Sequence, residues 1–162
     1  IFDKALFEQL WLILKGKKFL RGLLREKADV TNVITALRSQ DPESAQNSYL
    51  PHGKLTNEEL AKLFDADRES VKKHFSRTDY AEFISTCLTA KEKGIPLSEG
   101  EKIRDSREVE YFAKRKYELQ KSEPFLYFVY RKKTELANVR IAFVCLNAGL
   151  SESAIKARLR SF

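Results

Sequence analysis

Methionine is absent from this sequence, and cysteine, histidine, glycine and proline are scarce. Each scarcity excludes something. Two cysteines, Cys87 and Cys145, cannot make a disulfide framework, and each is read as a small apolar residue packed in a reducing compartment. Two histidines, His52 and His74, stand without spaced partners, short of the ligand number zinc needs, so both are read as structural or solvated. There is no glycine-rich phosphate loop and no paired-histidine metal motif, and no serine or cysteine has a base and an orienting group nearby in sequence. The expectation is therefore no catalytic residue, no metal, no bound cofactor and no small-molecule substrate. Six glycines and four prolines leave room for long uninterrupted helices. No apolar run reaches about eighteen residues, the length at which a membrane-crossing helix is expected. Residues Ile1 to Leu14 carry Asp3, Lys4 and Glu8 in an amphipathic pattern unlike that of a signal peptide. The missing initiator methionine reads as a sign of a fragment.

What is present is a hydrophobic share of 43%, enough for a core, and a charged share of 33%, which suits solvated helix exteriors. The net charge of +7 is concentrated late, in Lys114-Arg115-Lys116, Arg131-Lys132-Lys133, Arg140, Lys156, Arg158 and Arg160. Such an excess is either a solvated surface or a match for an acidic partner: protein, nucleic acid or lipid headgroups.

The most informative stretch is Phe125 to Gly149, which reads as one long helix. Ser122 is its N-cap candidate, Glu123 and Pro124 suit the first turn, and Gly149 suits the position after the C-cap. Leu126, Val129, Tyr130, Leu136, Val139, Ala142, Phe143 and Leu146 recur at helical spacing, a stripe wide enough to expect neighbours on more than one side. Glu135 and Asn138, three apart, share a face. The same pattern occurs earlier without a gap. Phe19-Leu20 matches Phe125-Leu126, 106 residues apart, and in the same register Arg25, Lys27, Asp29, Asn32-Val33 and Ala36 match Arg131, Lys133, Glu135, Asn138-Val139 and Ala142. This is an internal repeat too long for a small-unit solenoid, and it predicts a duplicated helical subdomain. The helices Lys17–Arg38 and Phe125–Gly149 are expected in equivalent places. Asp29 with Asn32, and Glu135 with Asn138, are expected as buried, hydrogen-bonded pairs that fix how helices cross. A weaker echo sets Leu150-Ser151, Ile155 and Leu159 beside Leu55-Thr56, Leu60 and Phe64.

The element Asp/Glu-x-x-Asn-Val at Asp29–Val33 and Glu135–Val139, followed by Asn147-Ala148-Gly149-Leu150-Ser151 and the basic Ile155-Lys156-Ala157-Arg158-Leu159, resembles the C subunit of the rotary V/A-type ATPases, the relative of the eukaryotic d subunit. The resemblance covers most of the chain and is specific at the two asparagine-bearing helices. It implies an all-α, multihelical fold of repeated subdomains with pseudo-symmetry, part of a funnel, with this chain as a C-terminal fragment. It also implies a non-catalytic rotor component of the central stalk. Such a component joins the central shaft to the membrane ring in ATP-linked proton or sodium transport, peripheral to the membrane on its cytoplasmic side. Lys132, Lys133 and Arg140 are the partner-contact candidates.

In chain order, helices are expected from about Asp3 (as cap) to Leu14, with Gly16 as breaker, and from Lys17 to Arg38, with a kink where Asp29 or Thr31 caps a restart. Asp41 to Gly53 is expected to be a loop and the place for local disorder. Thr56 and Glu59 form a capping box with a Leu55–Leu60 staple, opening a helix that ends near Phe64. Asp67 caps a short helix to Phe75, Thr78-Asp79 opens another to Gly94, and Ser98 with Glu101 caps a basic helix through Tyr117 to about Lys121. A helical repeat unit, 1–94, and a second, partial one, 95–162, are expected within one compact domain.

Two other function classes compete. Leu55 to Phe75 has the outline of a helix-turn-helix, with Arg68, Ser70 and Lys72 offered to a DNA groove. Against it, Asp65 stands where that turn wants glycine, and Asp65, Asp67 and Glu69 would face phosphates. The late basic helices also suit a lipid surface, which a buried core helix explains as well.

Overall fold

The structure is a computed structural model that describes residues 2–65, 67–114, 116–117 and 122–160. It is all-α. The helices are α1 (Phe2–Ile13), α2 (Lys18–Arg38), α3 (Pro42–Ser48), α4 (Asn57–Ala61) running into a 3-10 turn (Lys62–Phe64), α5 (Arg68–Phe75), α6 (Ala81–Glu92), α7 (Ser98–Ala113), α8 (Glu123–Asn147) and α9 (Glu152–Arg158). No strand occurs among the described residues. The chain divides into two compact units, Ile1–Gly100 and Glu101–Phe162.

In the first unit α2 is the axis. Its Leu23, Leu24, Ala28, Val30, Val33, Ile34, Ala36 and Leu37 are all buried, under α1, α3, α4, the 3-10 turn and α6. Apolar residues on nearly every side make it a core helix rather than an amphipathic surface one. On one side Phe7 of α1 joins Leu24, Ala28 and Leu50, with Leu10, Trp11 and Leu14 against them. Gly16, at φ 84°, turns the chain between α1 and α2. Arg21 then closes the end of α1: its Nε and Nη2 donate to the Trp11 carbonyl at 3.2 and 2.7 Å, and its guanidinium lies 4.3 Å from the Trp11 ring centre.

Several boundaries differ from those the sequence suggests. Asp3 lies inside the first turn of α1 rather than capping it. α2 runs unbroken through Asp29 and Thr31, because the Asp29 carboxylate turns outward to other elements instead of capping its own helix. The segment 41–53 is not a plain loop. Asp41 accepts from the Ser44 N–H at 2.9 Å, Pro42 fills the first turn, and seven residues form α3. Thr78 closes α5, donating its hydroxyl to the Phe75 carbonyl at 2.8 Å, and α6 starts at Ala81 with no side-chain cap. The Thr56–Glu59 capping box forms as expected. Ser98 is already helical in α7, which ends at Ala113, well short of Lys121. Arg115 and the tail of that expected helix, residues 118–121, lie outside the described residues.

In the second unit α8 is the long element. Ser122 makes no cap: its φ −77°, ψ −13° is helical, not the extended geometry that turns a side chain back on the first free N–H groups. The far end closes as expected around Gly149, at φ 69°: the Gly149 N–H donates to the Leu146 carbonyl at 2.9 Å and the Leu150 N–H to that of Cys145 at 3.0 Å. Phe112 of α7 packs on Tyr130 of α8, ring centres 4.8 Å apart. Among the described residues α7 and α9 lie against α8, and much of its apolar stripe is uncovered. Thr134 and Cys145 are buried, whereas Phe125, Phe128, Val129, Leu136, Val139, Phe143, Val144 and Leu146 are exposed.

Candidate functional site

The polar residues singled out on α2 and α8 act as clamps on the main chain. Asn32 is buried; its Nδ2 donates to the Leu50 carbonyl at 3.0 Å, and its Oδ1 accepts the Leu50 N–H at 2.7 Å. A side-chain amide thereby supplies both bonds that a neighbouring strand would. Leu50 needs them because it is buried just after α3, where water cannot reach its peptide groups. Asn138 repeats the arrangement in the second unit, donating to the Arg160 carbonyl at 2.9 Å and accepting the Arg160 N–H at 2.8 Å. In each unit the clamped residue is the second after a seven-residue helix.

That coincidence changes the register of the echo in the tail. α9 corresponds to α3, not to the helix that begins at Thr56. Asp41 and Ser151, 110 apart, cap the two helices through Ser44 and Ala154. Ala45 and Ile155 are the buried residue of each. Tyr49 and Leu159 end them with extended geometry, their N–H groups bound to Gln46 and Lys156. The offset grows from 106 to 110 because α8 runs three residues further beyond its asparagine than α2 does, and the step from helix end to the next cap is one residue longer.

The acidic residues differ more. Asp29 is fully buried; one oxygen accepts the Leu55 N–H at 2.9 Å and the other the Tyr80 hydroxyl at 2.6 Å. Gly53 lies so close that a Cβ there would overlap the Asp29 carboxylate. Crossing of helices in the first unit therefore rests on two separate anchors, Asn32 to Leu50 and Asp29 to Leu55 and Tyr80. Glu135, at the matching place on α8, is only half-buried and bonds Lys132 at 2.6 Å. Asn138 is half-buried too, so the second pair is not the buried one the sequence suggests. The clamp roles of Leu50 and Arg160 are not legible in the sequence, because a partner on the main chain carries no residue-type signal, and Tyr80 and Gly53 meet Asp29 only through the fold.

The partner-contact candidates lie on α8. Lys132 pairs with Glu135, Lys133 with Glu108 at 3.6 Å, and Arg140 is exposed. A second electrostatic bond joins Arg160 Nε to Asp105 Oδ2 at 3.2 Å, reinforcing the clamped residue.

The Leu55–Phe75 segment is not arranged as a groove reader. Asp65 has φ −59°, away from the left-handed conformation that turn uses. Ala66 lies outside the described residues. Arg68 is half-buried and donates to the Leu63 carbonyl at 2.9 Å, and Lys72, also half-buried, pairs with Glu69 at 3.3 Å. Burial holds the Lys91 ammonium below its usual range, and the nearby Arg68 cation adds to the effect.

His52 is structural. At φ 67° it stacks on Trp11, ring centres 4.4 Å apart, and its Nε2 lies 2.8 Å from Glu8 Oε2. His74 lies 3.4 Å from Lys62 Nζ. Cys87 and Cys145 are both buried. Among the described residues no group of three histidine, cysteine or acidic side chains is placed to hold a metal, and no helix is long and apolar enough to cross a membrane.

The family model for the ATP synthase (C/AC39) subunit matches residues 1–158. No curated protein and no solved structure matches the chain.

Proposed function

The chain belongs to the ATP synthase (C/AC39) subunit family, and from that membership we propose that it is a non-catalytic part of the central stalk of a V/A-type ATPase. In this reading it joins the central shaft to the membrane ring, peripheral to the membrane on the cytoplasmic side, and passes torque between ATP chemistry and proton or sodium movement. The family match is the observation that carries the reading. The geometry is compatible with it: a torque-bearing part needs stiffness, and long helices whose returning chain is clamped by Asn32 and Asn138 supply it. We further read residues 1–94 as one helical repeat and 95–162 as a second, partial one, with Lys132, Lys133 and Arg140 as partner contacts.

The test is co-expression with shaft and ring subunits, beside selection from random DNA duplexes at physiological salt. The chain is expected to co-purify with shaft and ring. DNA binding is expected to be weak, indifferent to sequence and steeply lost as salt rises. Enrichment of one duplex sequence, abolished by Lys72→Ala, would overturn the reading in favour of the helix-turn-helix.

A further inference from the structure

A cation drawn partly out of water is costly unless an anion or a set of acceptors replaces the hydration it has lost. Elsewhere carboxylates meet that requirement: Arg104 and Arg160 share Asp105, and Lys72 has Glu69. The 3-10 turn Lys62–Phe64 is different. Arg68 of α5 and Lys91 of α6, both half-buried, come to it from two sides of the sequence. Arg68 Nη1 donates to the Leu63 carbonyl at 2.9 Å, and Lys91 Nζ lies 5.8 Å from the ring centre of Phe64, the next residue. Both charges are therefore gathered at one short turn. A single carbonyl engages only one of the five N–H groups of a guanidinium, and an ammonium over a ring keeps its own three to give.

Among the described residues neither cation has a carboxylate within ion-pair distance. The acids closest in sequence are turned elsewhere. Asp65 accepts the Asp67 N–H at 3.1 Å, Asp67 accepts the Ser70 N–H at 3.2 Å, and Glu69 pairs with Lys72. Arg68 and Lys91 are close enough to oppose each other: burial first, and then the Arg68 cation, holds the Lys91 ammonium below its usual range. A bound anion relieves both costs at once, the desolvation and the repulsion.

The two charges select the kind of anion. A phosphate group carries about −1.5 to −2 at pH 7 and offers three acceptor oxygens, enough for the planar fork of an arginine and the point charge of a lysine together. A lone carboxylate leaves one cation unmatched. A nucleic acid or an anionic lipid surface fits poorly, because Asp65, Asp67 and Glu69 are exposed around the turn and repel the phosphates on either side of the one bound. Lys62, exposed on the same turn 3.4 Å from His74, adds positive charge nearby.

We propose that Arg68 and Lys91 bind the phosphate group of a small solute beside Phe64, Arg68 through the N–H groups that Leu63 does not use and Lys91 as a point charge. The site lies within the first unit and does not depend on the rotor reading.

Titration of the full chain with inorganic phosphate at constant ionic strength, followed by amide NMR, tests it. Saturable shifts are expected around Arg68 and Lys91. Lys91→Gln, and Arg68→Gln, which keeps an N–H for the Leu63 carbonyl, are each expected to weaken binding by about tenfold or more. Lys73→Ala removes the same charge from an exposed position of α5 and is expected to change it by less than about twofold. A second readout is the titration of the Lys91 side chain, followed at Nζ: saturating phosphate is expected to move it upward, which a cation that merely covers Phe64 does not do. Absence of saturable binding below about 10 mM phosphate overturns the proposal. So does equal affinity in the two glutamine variants and the unmodified chain, or a Lys91 titration that phosphate leaves in place. A hexaglutamate peptide or phosphatidylserine vesicles that displace phosphate, and are themselves lost with Lys91→Gln, overturn it in favour of an acidic protein or a membrane.

Discussion

α2 and α8 share the asparagine, the acidic residue three positions before it, and the bidentate grip on the chain that returns past a seven-residue helix. They differ in everything the clamp does not reach. α2 is enclosed, and its Asp29 is fully buried among donors from α4's approach and from Tyr80. α8 keeps one edge open, and its Glu135 falls back on a lysine of its own helix. The comparison separates two jobs that a single repeat motif combines. The asparagine fixes where the chain returns; the acidic residue fixes what comes after. Only where that later segment lies against the helix does the carboxylate become part of the core.

The sharpest way to break the comparison is to charge the two seams. Val30→Glu is expected to destabilise by about 3–5 kcal/mol, because it buries an unpaired carboxylate, whereas Leu136→Glu stays within about 0.5 kcal/mol as a surface change. Urea denaturation of the two variants decides, and equal losses would mean that α8 is covered in solution. The clamps come next. Asn32→Leu strands both peptide groups of buried Leu50 and is expected to cost about 2–4 kcal/mol; Asn138→Leu, where water reaches the half-buried Arg160, about 1–2 kcal/mol. The same titrations measure both, and a neutral Asn138→Leu would confine that clamp to positioning.

The acidic residues give a smaller contrast. Tyr80→Phe removes a donor from a buried carboxylate and is expected to cost about 1.5–3 kcal/mol. Lys132→Ala removes an exposed partner from Glu135 and is expected to cost about 0–1 kcal/mol. Thermal melts of both variants rank the pairs, and an equal shift would show that Asp29 gains nothing from its enclosure. The smallest effect is a matter of pH. The Ser44 N–H and hydroxyl hold Asp41 below its ordinary value of 3.8, so this cap is fully present above that value and is lost as pH falls through the lower, folded one. Ser151, capping α9, does not titrate in that range. Protection of the Ser44 amide, measured against its intrinsic exchange rate at each pH, is therefore expected to fall on acidification while that of Ala154 does not; parallel behaviour would remove Asp41 as the cause.

The second unit shows how local signals and burial part company. Helix type, the ends at Gly16, Gly94 and Gly149, the Thr56–Glu59 box and the Asp67 cap were legible in the sequence, because each depends on a few neighbouring residues. So was the repeat of Asp29–Asn32 in Glu135–Asn138. Asp41 with Pro42 carried an equally local signal for α3, outweighed by the polar, proline-bracketed character of the surrounding segment. Other features depended on distance. The clamp partners Leu50 and Arg160 offer only main-chain groups, which every residue has. The α3–α9 correspondence is hidden by the greater length of α8. The apolar stripe of α8 is at least as rich as that of α2, yet it is largely exposed. Composition and periodicity determined that this chain makes long helices with an apolar edge and a polar clamp. What lies against that edge was decided by the tertiary structure, because burial belongs to a pair of surfaces, and the sequence of one helix describes only its own.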